Sequence, residues 1–136
     1  MNFSKEDYIR AAYHLSEESK GEVRSIDLAK YLNISKASVS EMLSKLSKYK
    51  LISVKPYGPL KLTKKGLIEG RQLTYKHRII ELFLSKILGL KLSQVHNEAN
   101  KIEHALSDLA VKKMSLIMKN PAYCPHGKPI KVRIQC

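Results

Sequence analysis

Two short patterns in the sequence combine histidine with carboxylate or amide side chains. The first is His77-x-x-x-Glu81, and the second is His96-x-x-x-Asn100-x-x-Glu103-His104. Spacings of four and seven residues place side chains on one face of an α-helix. Imidazole and carboxylate groups gathered on such a face are typical metal ligands. The two patterns therefore predict a site for a divalent metal ion.

The apolar neighbours of these residues suggest that some of the polar side chains are buried. Apolar residues such as Ile79, Ile102 and Leu106 lie beside them, and uncompensated burial of polar groups is costly. A metal ion is one compensation; hydrogen bonds between helices and simple exposure are the alternatives. Because the predicted cluster has no cysteine, its ligands suit Mn2+ or Fe2+ better than a closed thiolate zinc site. Co2+ and Zn2+ are expected to bind in vitro.

The N-terminal part of the chain has the pattern of a helix-turn-helix. A first helix is expected over residues 4–16, capped by Ser4, and Ser25 is the expected cap of a short second helix that ends near Asn33. Ser35 is the expected cap of a third helix. Its apolar positions recur at i, i+3, i+4 and i+7 and are Val39, Met42, Leu43 and Leu46. Two short helices, a tight turn and a polar outer face predict the motif.

A wing and a helical half are expected to follow. Residues 51–54 and 60–63 have the pattern of short strands, joined by the turn Lys55-Pro56-Tyr57-Gly58-Pro59. A long helix is expected from about residue 64 to 88, broken by Gly89 and followed by a short segment from Leu92 and a further helix to about Lys119. The expected fold class is mainly α: a winged helix-turn-helix DNA-binding lobe over residues 1–63, then an all-helical dimerisation and metal-binding lobe over residues 64–136.

The second half carries more apolar residues than one small lobe must bury, which predicts a homodimer. These residues include Leu73, Ile79, Ile80, Leu82, Phe83, Leu84, Ile87, Leu88, Ile102, Leu106 and Leu109. Pairing of two copies through the same surface would bury the remainder.

The charge of the chain points to a polyanionic partner. It has 25 basic and 12 acidic residues, for a formal net charge of +13, and such a field attracts nucleic acid. Residues 36–65 hold eight lysines but only Glu41 as an acidic residue. A lysine-rich surface that is merely solvated is the alternative on charge alone, and the helix-turn-helix makes double-stranded DNA the better interpretation.

The third helix is expected to enter the major groove with its N-terminal residues nearest the bases. The residues expected there are Ser35, Lys36, Ala37, Ser38 and Ser40. None of them forms the arginine–guanine or asparagine–adenine pair that dominates sequence readout, so each base contact is expected to be weak. The residues expected to neutralise phosphates are Lys45, Lys48, Lys55 and Lys61.

Several classes of protein are disfavoured by the sequence. Cys124 and Cys136 are too few for a disulfide framework, the N-terminus has no apolar signal-peptide core, and no apolar run is long enough to span a bilayer. The expected location is therefore the cytoplasm, without a membrane partner. Cys124 and His126 provide only two ligands, so Cys124-Pro125-His126-Gly127 is interpreted as a structural turn.

Together these motifs resemble one known family. The residues on which the resemblance rests are Glu6-Asp7-Tyr8-Ile9, Leu62-Thr63-x-x-Gly66, Lys76-His77-Arg78, Glu81, Val95-His96-Asn97-Glu98-Ala99, Ile102-Glu103-His104, Leu106-Ser107-Asp108 and Cys124-Pro125-His126-Gly127-x-Pro129-Ile130. The chain is similar over nearly its whole length to the metal-dependent repressors of the diphtheria-toxin-repressor and manganese-transport-regulator family.

The resemblance implies two neighbouring metal positions. The matching residues are His77, Glu81 and His96 for one position, and Asp7, Asn100, Glu103 and His104 for the other. Asn100 stands where relatives carry cysteine or glutamate, and Arg10 stands where the manganese branch has a carboxylate. The chain also ends without the SH3-like third domain of longer relatives, so water or another anion is expected to complete the His77 position.

The expected function is a repressor whose homodimer binds a palindromic operator when Mn2+ or Fe2+ is bound, controlling genes of metal homeostasis. Metal bridging Asp7 to Glu103 and His104 would fix the DNA-binding lobe. Three alternatives remain: a winged-helix regulator that senses a small organic ligand, a metalloenzyme and a metal-buffering protein. The chain has no recognisable nucleophile or phosphate loop, which disfavours the enzyme.

Overall fold

The computed structural model describes residues 4–55 and 58–130. The chain forms two compact units, Met1–Leu73 and Thr74–Cys136. Six helices and two strands occur within the described residues. They are α1 (Lys5–Glu18), α2 (Ser25–Leu32), α3 (Lys36–Lys48), β1 (Ile52–Val54), β2 (Leu60–Leu62), α4 (Lys64–Lys86), α5 (Leu92–Ile102) and α6 (Asp108–Ile117). The mainly helical fold with a two-stranded wing is as predicted.

The first unit contains the predicted helix-turn-helix. α1 begins after Ser4, whose hydroxyl accepts from the Asp7 amide, while Asp7 accepts from the Ser4 amide in return. Asn33 ends α2 in the left-handed conformation, with φ 55°, and Ser35 caps α3 by accepting from the Ser38 amide. The prediction that Ser25 caps α2 is wrong.

α2 begins one residue earlier than a Ser25 cap requires. Ser25 is the first helical residue, and Arg24 occupies the cap position without a side-chain cap hydrogen bond. Arg24 instead pairs with Asp27, with 2.9 Å between Nε and Oδ2. The acidic side chain in the first turn therefore contributes the favourable charge at this helix start.

Apolar faces of the three helices and the wing form the core of the first unit. Its buried side chains are Tyr8, Ile9, Ala11, Ala12, Tyr13, Val23, Leu28, Ala29, Val39, Leu43, Leu46, Leu51, Ile52, Leu60 and Leu62. The predicted apolar face of α3 is confirmed, with Met42 partly buried at its edge. This packing leaves the opposite face of α3 exposed.

The wing is an antiparallel pair in which Ile52 lies opposite Leu62 and Val54 opposite Leu60. The predicted turn residues Pro56 and Tyr57 lie outside the described residues. Leu60 also pairs with Val23 through two backbone hydrogen bonds, which attaches the wing to the segment before α2.

The junction between the wing and α4 depends on a threonine and a glycine. The Thr63 hydroxyl donates to the carbonyl of Lys50 at 2.7 Å and accepts from the amide of Gly66 at 3.1 Å. Gly66 packs directly against the Leu51 carbonyl, so that a Cβ atom there would collide with backbone. This contact gives the Leu-Thr-x-x-Gly pattern a physical reason.

The second unit is helical. Its core consists of Ile79, Ile80, Leu84, Val95, Ala99, Val111, Met118, Cys124 and Ile130. The short segment predicted from Leu92 is α5, which ends at Ile102. The further helix is α6, which ends at Ile117 and is capped by Ser107, whose hydroxyl accepts from the Ala110 amide. Glu103 and His104 therefore lie just beyond the end of α5. No helix among the described residues is long and apolar enough to cross a membrane.

Candidate metal centre and DNA-binding surface

α4 and α5 bring the first predicted ligand set together. His77 and Glu81 are one turn apart on α4, and His96 lies in the second turn of α5. The three distances among His77 Nε2, His96 Nδ1 and Glu81 Oε2 are 3.2, 3.4 and 3.3 Å. We call these residues the trio. The side chains of His77 and Glu81 are about 5% exposed, whereas that of His96 is 46% exposed.

The trio fits a metal ion of the first transition row. Ligand atoms that lie about 2.0 to 2.2 Å from a shared ion are separated by roughly 3 to 3.5 Å. The three measured separations fall in this range, and the donors are two imidazole nitrogens and one carboxylate oxygen. Such a set suits Mn2+, Fe2+, Co2+ and Zn2+.

The charge of Glu81 is maintained by the histidines around it. Burial by itself would raise the pKa of Glu81, but hydrogen bonds and charge interactions with His77 and His96 outweigh burial and lower it to about 2. A permanently ionised carboxylate in a buried position is a strong ligand for a cation.

A second donor pair lies against the same carboxylate. Cys124 Sγ, a nitrogen of His126 and an oxygen of Glu81 all lie within 4.8 Å of one another, and His126 Nδ1 is 3.7 Å from Glu81 Oε2. Cys124 is buried and His126 is exposed.

The sequence analysis set this pair aside, because two ligands in a short turn do not indicate their third. The predicted turn is present: the Cys124 amide donates to the Lys128 carbonyl, the Gly127 amide donates to the Cys124 carbonyl, and Gly127 has φ 81°. It also directs two donors at Glu81, which the turn interpretation did not include. The other cysteine, Cys136, lies outside the described residues.

Glu103 contacts the trio directly. Its Oε2 is 2.6 Å from His77 Nδ1, and its side chain is 6% exposed. Its Oε1 is 3.7 Å from His104 Nε2, and His104 is 41% exposed. One carboxylate therefore contacts a residue from each of the two predicted ligand sets.

The remaining predicted ligands are Asn100 and Asp7. Asn100 is half-buried on α5, one turn after His96. Asp7 is half-buried in the first unit, where its Oδ2 accepts from the backbone and hydroxyl of Ser4. The assignment of Asp7 to the same metal position as Asn100, Glu103 and His104 stays a prediction.

Two neighbours of His77 fix the segments that carry other ligands. Lys76 Nζ donates to the Leu106 carbonyl at 2.6 Å, in the connection between α5 and α6. Arg78, which is buried, donates to the Pro129 carbonyl at 2.8 Å, in the turn that carries Cys124 and His126.

The predicted base-reading residues lie at the exposed N-terminal end of α3. Ser35, Lys36, Ala37, Ser38 and Ser40 are all exposed. An open groove of about 640 Å³ runs between α3 and the wing, and its lining includes Ser40, Ser44, Ser47 and Lys48. The i, i+4, i+7 spacing of these serines was visible in the sequence, but Ser44 and Ser47 were not predicted as contacts.

The predicted phosphate-binding lysines are also exposed, and they are Lys45, Lys48, Lys55 and Lys61. Lys61 lies 3.8 Å from a carboxylate oxygen of Glu22, so part of its charge is compensated within the chain. This makes Lys61 the weaker candidate for a phosphate contact.

Comparison with known families supports both the metal centre and the DNA-binding surface. The domain described as "Iron dependent repressor, N-terminal DNA binding domain" matches residues 2–60, and "Iron dependent repressor, metal binding and dimerisation domain" matches residues 63–131. The chain belongs to the iron-dependent repressor family. The predicted class, a metal-dependent transcriptional repressor, is thereby confirmed.

Individual relatives of this repressor support the assignment. An uncharacterized HTH-type transcriptional regulator of Methanocaldococcus jannaschii is 35% identical over 119 residues, 88% of this chain and 95% of the relative. The HTH-type transcriptional regulator MntR of Bacillus subtilis is 40% identical over 104 residues, 76% of this chain and 72% of MntR.

Solved structures of similar repressors extend beyond this chain. The manganese regulator SloR has a TM-score of 0.87 at 36% identity, covering 99% of this repressor and 62% of SloR. A manganese-dependent transcriptional repressor in complex with manganese has a TM-score of 0.87 at 30% identity, covering 95% of this repressor and 59% of that chain. The repressor described here spans about three fifths of the length of these two chains.

Proposed function

We propose that this chain is a repressor activated by Mn2+ or Fe2+, which binds a palindromic operator as a homodimer and controls genes of metal homeostasis. The single observation that carries the proposal is the trio, whose donor separations match a metal ion and two of whose three side chains are buried, in a chain that also has a basic helix-turn-helix. Since a repressor must reach the chromosome, its proposed location is the cytoplasm.

The proposed metal ligands begin with His77, Glu81 and His96, with Cys124 and His126 able to complete the coordination around Glu81. A thiolate donor is accepted by Fe2+, Co2+ and Zn2+ more readily than by Mn2+. Participation of Cys124 would therefore favour Fe2+ over Mn2+ as the activating ion.

A second metal position is proposed from the family pattern alone. Its residues are Asp7, Asn100, Glu103 and His104. One ion would be held by these four residues. Such an ion activates DNA binding only if it binds the DNA-competent arrangement more tightly than the alternatives, with a coupling of about 1 to 3 kcal/mol.

The proposed DNA surface is the N-terminal end of α3, with the groove between α3 and the wing receiving one sugar-phosphate strand. Exposure of the predicted base-reading residues and the hydroxyl-rich groove support this assignment. Hydroxyl groups bind phosphate and base edges with little sequence information.

The test is a titration of operator affinity with Mn2+, Fe2+, Co2+ and Zn2+ against a chelated control at fixed salt, using a palindrome from upstream of the gene. We expect Mn2+ or Fe2+ to tighten binding by about tenfold or more, the lower half of the usual coupling range. Equal affinity with and without chelator would reject metal activation and favour the regulator that senses an organic ligand.

Lys48 provides a separate test of the DNA surface. Removing one phosphate contact lowers the salt dependence of binding by about one unit of slope and weakens all sequences equally. We therefore expect Lys48→Gln to reduce the slope of log affinity against log salt by about one. Lys101→Gln, at an exposed position of α5, is the matched control. If neither substitution changes the slope, Lys48 does not belong to the DNA surface.

The remaining alternatives make different predictions. A metal-buffering protein would bind metal tightly without affinity for DNA. A metalloenzyme would require a reacting group beside the ion, and the family found above consists of transcriptional regulators. We assign no reaction to the metal centre.

A further inference from the structure

We propose that Glu103 is a positioning residue for the trio: it holds His77 in the tautomer that presents Nε2 to the metal, and so links the trio to the ligand set at residues 103 and 104. The inference rests on the proposed metal-binding function. It gives Glu103 a role in the first metal position, whereas the sequence pattern assigns it only to the second.

The contact between His77 and Glu103 is short and shielded from water. His77 Nδ1 and Glu103 Oε2 are 2.6 Å apart, and both side chains are 5 to 6% exposed. Hydrogen bonds from a ring nitrogen to a carboxylate are among the strong ones, and a low local dielectric strengthens them further.

This contact determines the direction of the His77 lone pair. A carboxylate only accepts hydrogen bonds, so His77 Nδ1 carries the proton and donates. Without metal, Nε2 can also carry a proton and donate it to Glu81; a metal ion displaces that proton, and the ring then has its one lone pair on Nε2. That atom lies 3.4 Å from Glu81 Oε2 and 3.2 Å from His96 Nδ1, so the lone pair belongs to the trio.

The backbone that carries Glu103 is anchored near the end of α5. The backbone amide of Glu103 donates to the Ala99 carbonyl at 2.9 Å. Lys76, next to His77 on α4, donates to the Leu106 carbonyl three residues beyond Glu103. A carboxylate on such a backbone, in contact with His77, acts as the outer-shell partner that metal-binding histidines usually have.

The same carboxylate reaches the other predicted ligand set. Glu103 Oε1 lies 3.7 Å from His104 Nε2, while Oε2 is engaged by His77. Any cation held near residues 103 and 104 would therefore share a charged group with the hydrogen bond that orients His77. Binding at one position must then change the affinity of the other, and the effect is reciprocal.

The experiment separates positioning from direct ligation by starting from His104→Ala, which removes a ligand of the second set. Co2+ alone is titrated into the full chain without DNA, and its absorption bands and calorimetry report affinity and stoichiometry. Adding Glu103→Ala to this background is expected to weaken the remaining Co2+ site about 10- to 100-fold, the usual effect of losing an outer-shell partner. Affinity within twofold of the His104→Ala parent would overturn the proposal.

A second readout tests the tautomer without any metal. Nitrogen-15 NMR of the metal-free protein, recorded at a pH where His77 is neutral, should show its proton on Nδ1, and Glu103→Ala should move a substantial fraction of it to Nε2. A tautomer unchanged by Glu103→Ala would contradict the role of Glu103. If Glu103→Ala does not fold, Glu103→Leu, which has no hydrogen-bond acceptor, replaces it in both measurements with the same expected outcomes. Glu103→Gln, whose amide oxygen accepts the same hydrogen bond, should keep the tautomer.

Glu98→Gln is the matched control. Glu98 lies on α5 with a side chain 45% exposed, paired with Lys101 at 3.4 Å, and its substitution should leave Co2+ affinity at the wild-type value. If the wild-type protein binds no Co2+, the proposed function is wrong, while the metal-free tautomer still decides the assignment of Glu103. The two proposals can therefore fail separately.

Discussion

Replacement of Glu81 by alanine is expected to abolish the response of DNA binding to metal while leaving affinity in chelator unchanged. Glu81 is the one residue shared by the trio and by the pair Cys124 and His126, and its Oε2 lies 3.3 to 3.7 Å from a nitrogen of each of three histidines. No other carboxylate among the described residues is shared by two such clusters. The tenfold or greater tightening expected for the wild-type protein should fall below twofold.

The measurement is operator affinity with and without Mn2+ or Fe2+, together with metal stoichiometry of the variant. Glu81→Gln keeps the side-chain volume and separates loss of charge from a cavity, and Glu98→Ala is the exposed control on α5. A full metal response in Glu81→Gln would show that the carboxylate is not the shared ligand.

The pH dependence of Glu81 has a defined sign. Its folded-state pKa of about 2 lies below the ordinary value of 4.5, so its ionisation stabilises the fold above about pH 4.5, and this stabilisation is lost as the pH falls toward 2. Between pH 5 and 7 the charge of Glu81 does not change. A loss of metal binding in that interval would therefore come from protons competing for the imidazole nitrogens.

The second large effect is expected from Leu88→Glu, which should convert the proposed homodimer to a monomer. Ile87, Leu88 and Leu92 surround the turn between α4 and α5 and are 46, 59 and 53% exposed. A surface of this kind is costly for a single copy to leave in water. A carboxylate at its centre would have to be buried without a partner in the dimer.

Loss of the dimer should also remove most of the DNA affinity. Two linked recognition helices exceed the affinity of one by about 10²- to 10⁴-fold. We expect Leu88→Glu to sediment as a monomer and to bind a palindromic operator at least 100-fold more weakly, at the lower end of that range.

Leu109→Glu is the comparison for the dimer surface, because Leu109 is 65% exposed on α6. Lys112 and Lys113 lie between Leu109 and Leu116, and pairing of two such faces would bring like charges together. Leu109→Glu should therefore remain a dimer. Dissociation by Leu109→Glu but not by Leu88→Glu would place the dimer surface on α6 instead.

Local signals in the sequence were sufficient for most of the fold. The Ser4 and Ser35 caps, the left-handed Asn33 and the apolar face of α3 each depend on residues within one or two turns. Ser25 misled the prediction of a cap, because a serine can be the first residue of a helix as well as the residue before it. The boundary between the segment from Leu92 and the further helix was not placed, because helical spacing continues through Glu103, which keeps helical dihedral angles.

The metal site was only partly predictable for a different reason. His77 and Glu81 share a helix face, so their proximity follows from spacing alone. The approach of Cys124 and His126 to Glu81 depends on packing of a distant turn, which spacing cannot indicate. The same is true of the hydrogen bond between Glu103 and His77, which joins residues 26 positions apart.

Three consecutive side chains of α4 reach three different segments: Lys76 the carbonyl of Leu106, His77 the carboxylate of Glu103, and Arg78 the carbonyl of Pro129. Each added or lost residue in a helix turns everything beyond it by about 100° and shifts it by about 1.5 Å. An insertion between His77 and Glu81 would therefore place them on different faces of α4. Glu81 could then no longer contact both the histidines of the trio and the pair Cys124 and His126. Changes of chain length during evolution can accumulate in the wing turn and in the turn after α4, whereas this stretch of α4 can change only by substitution.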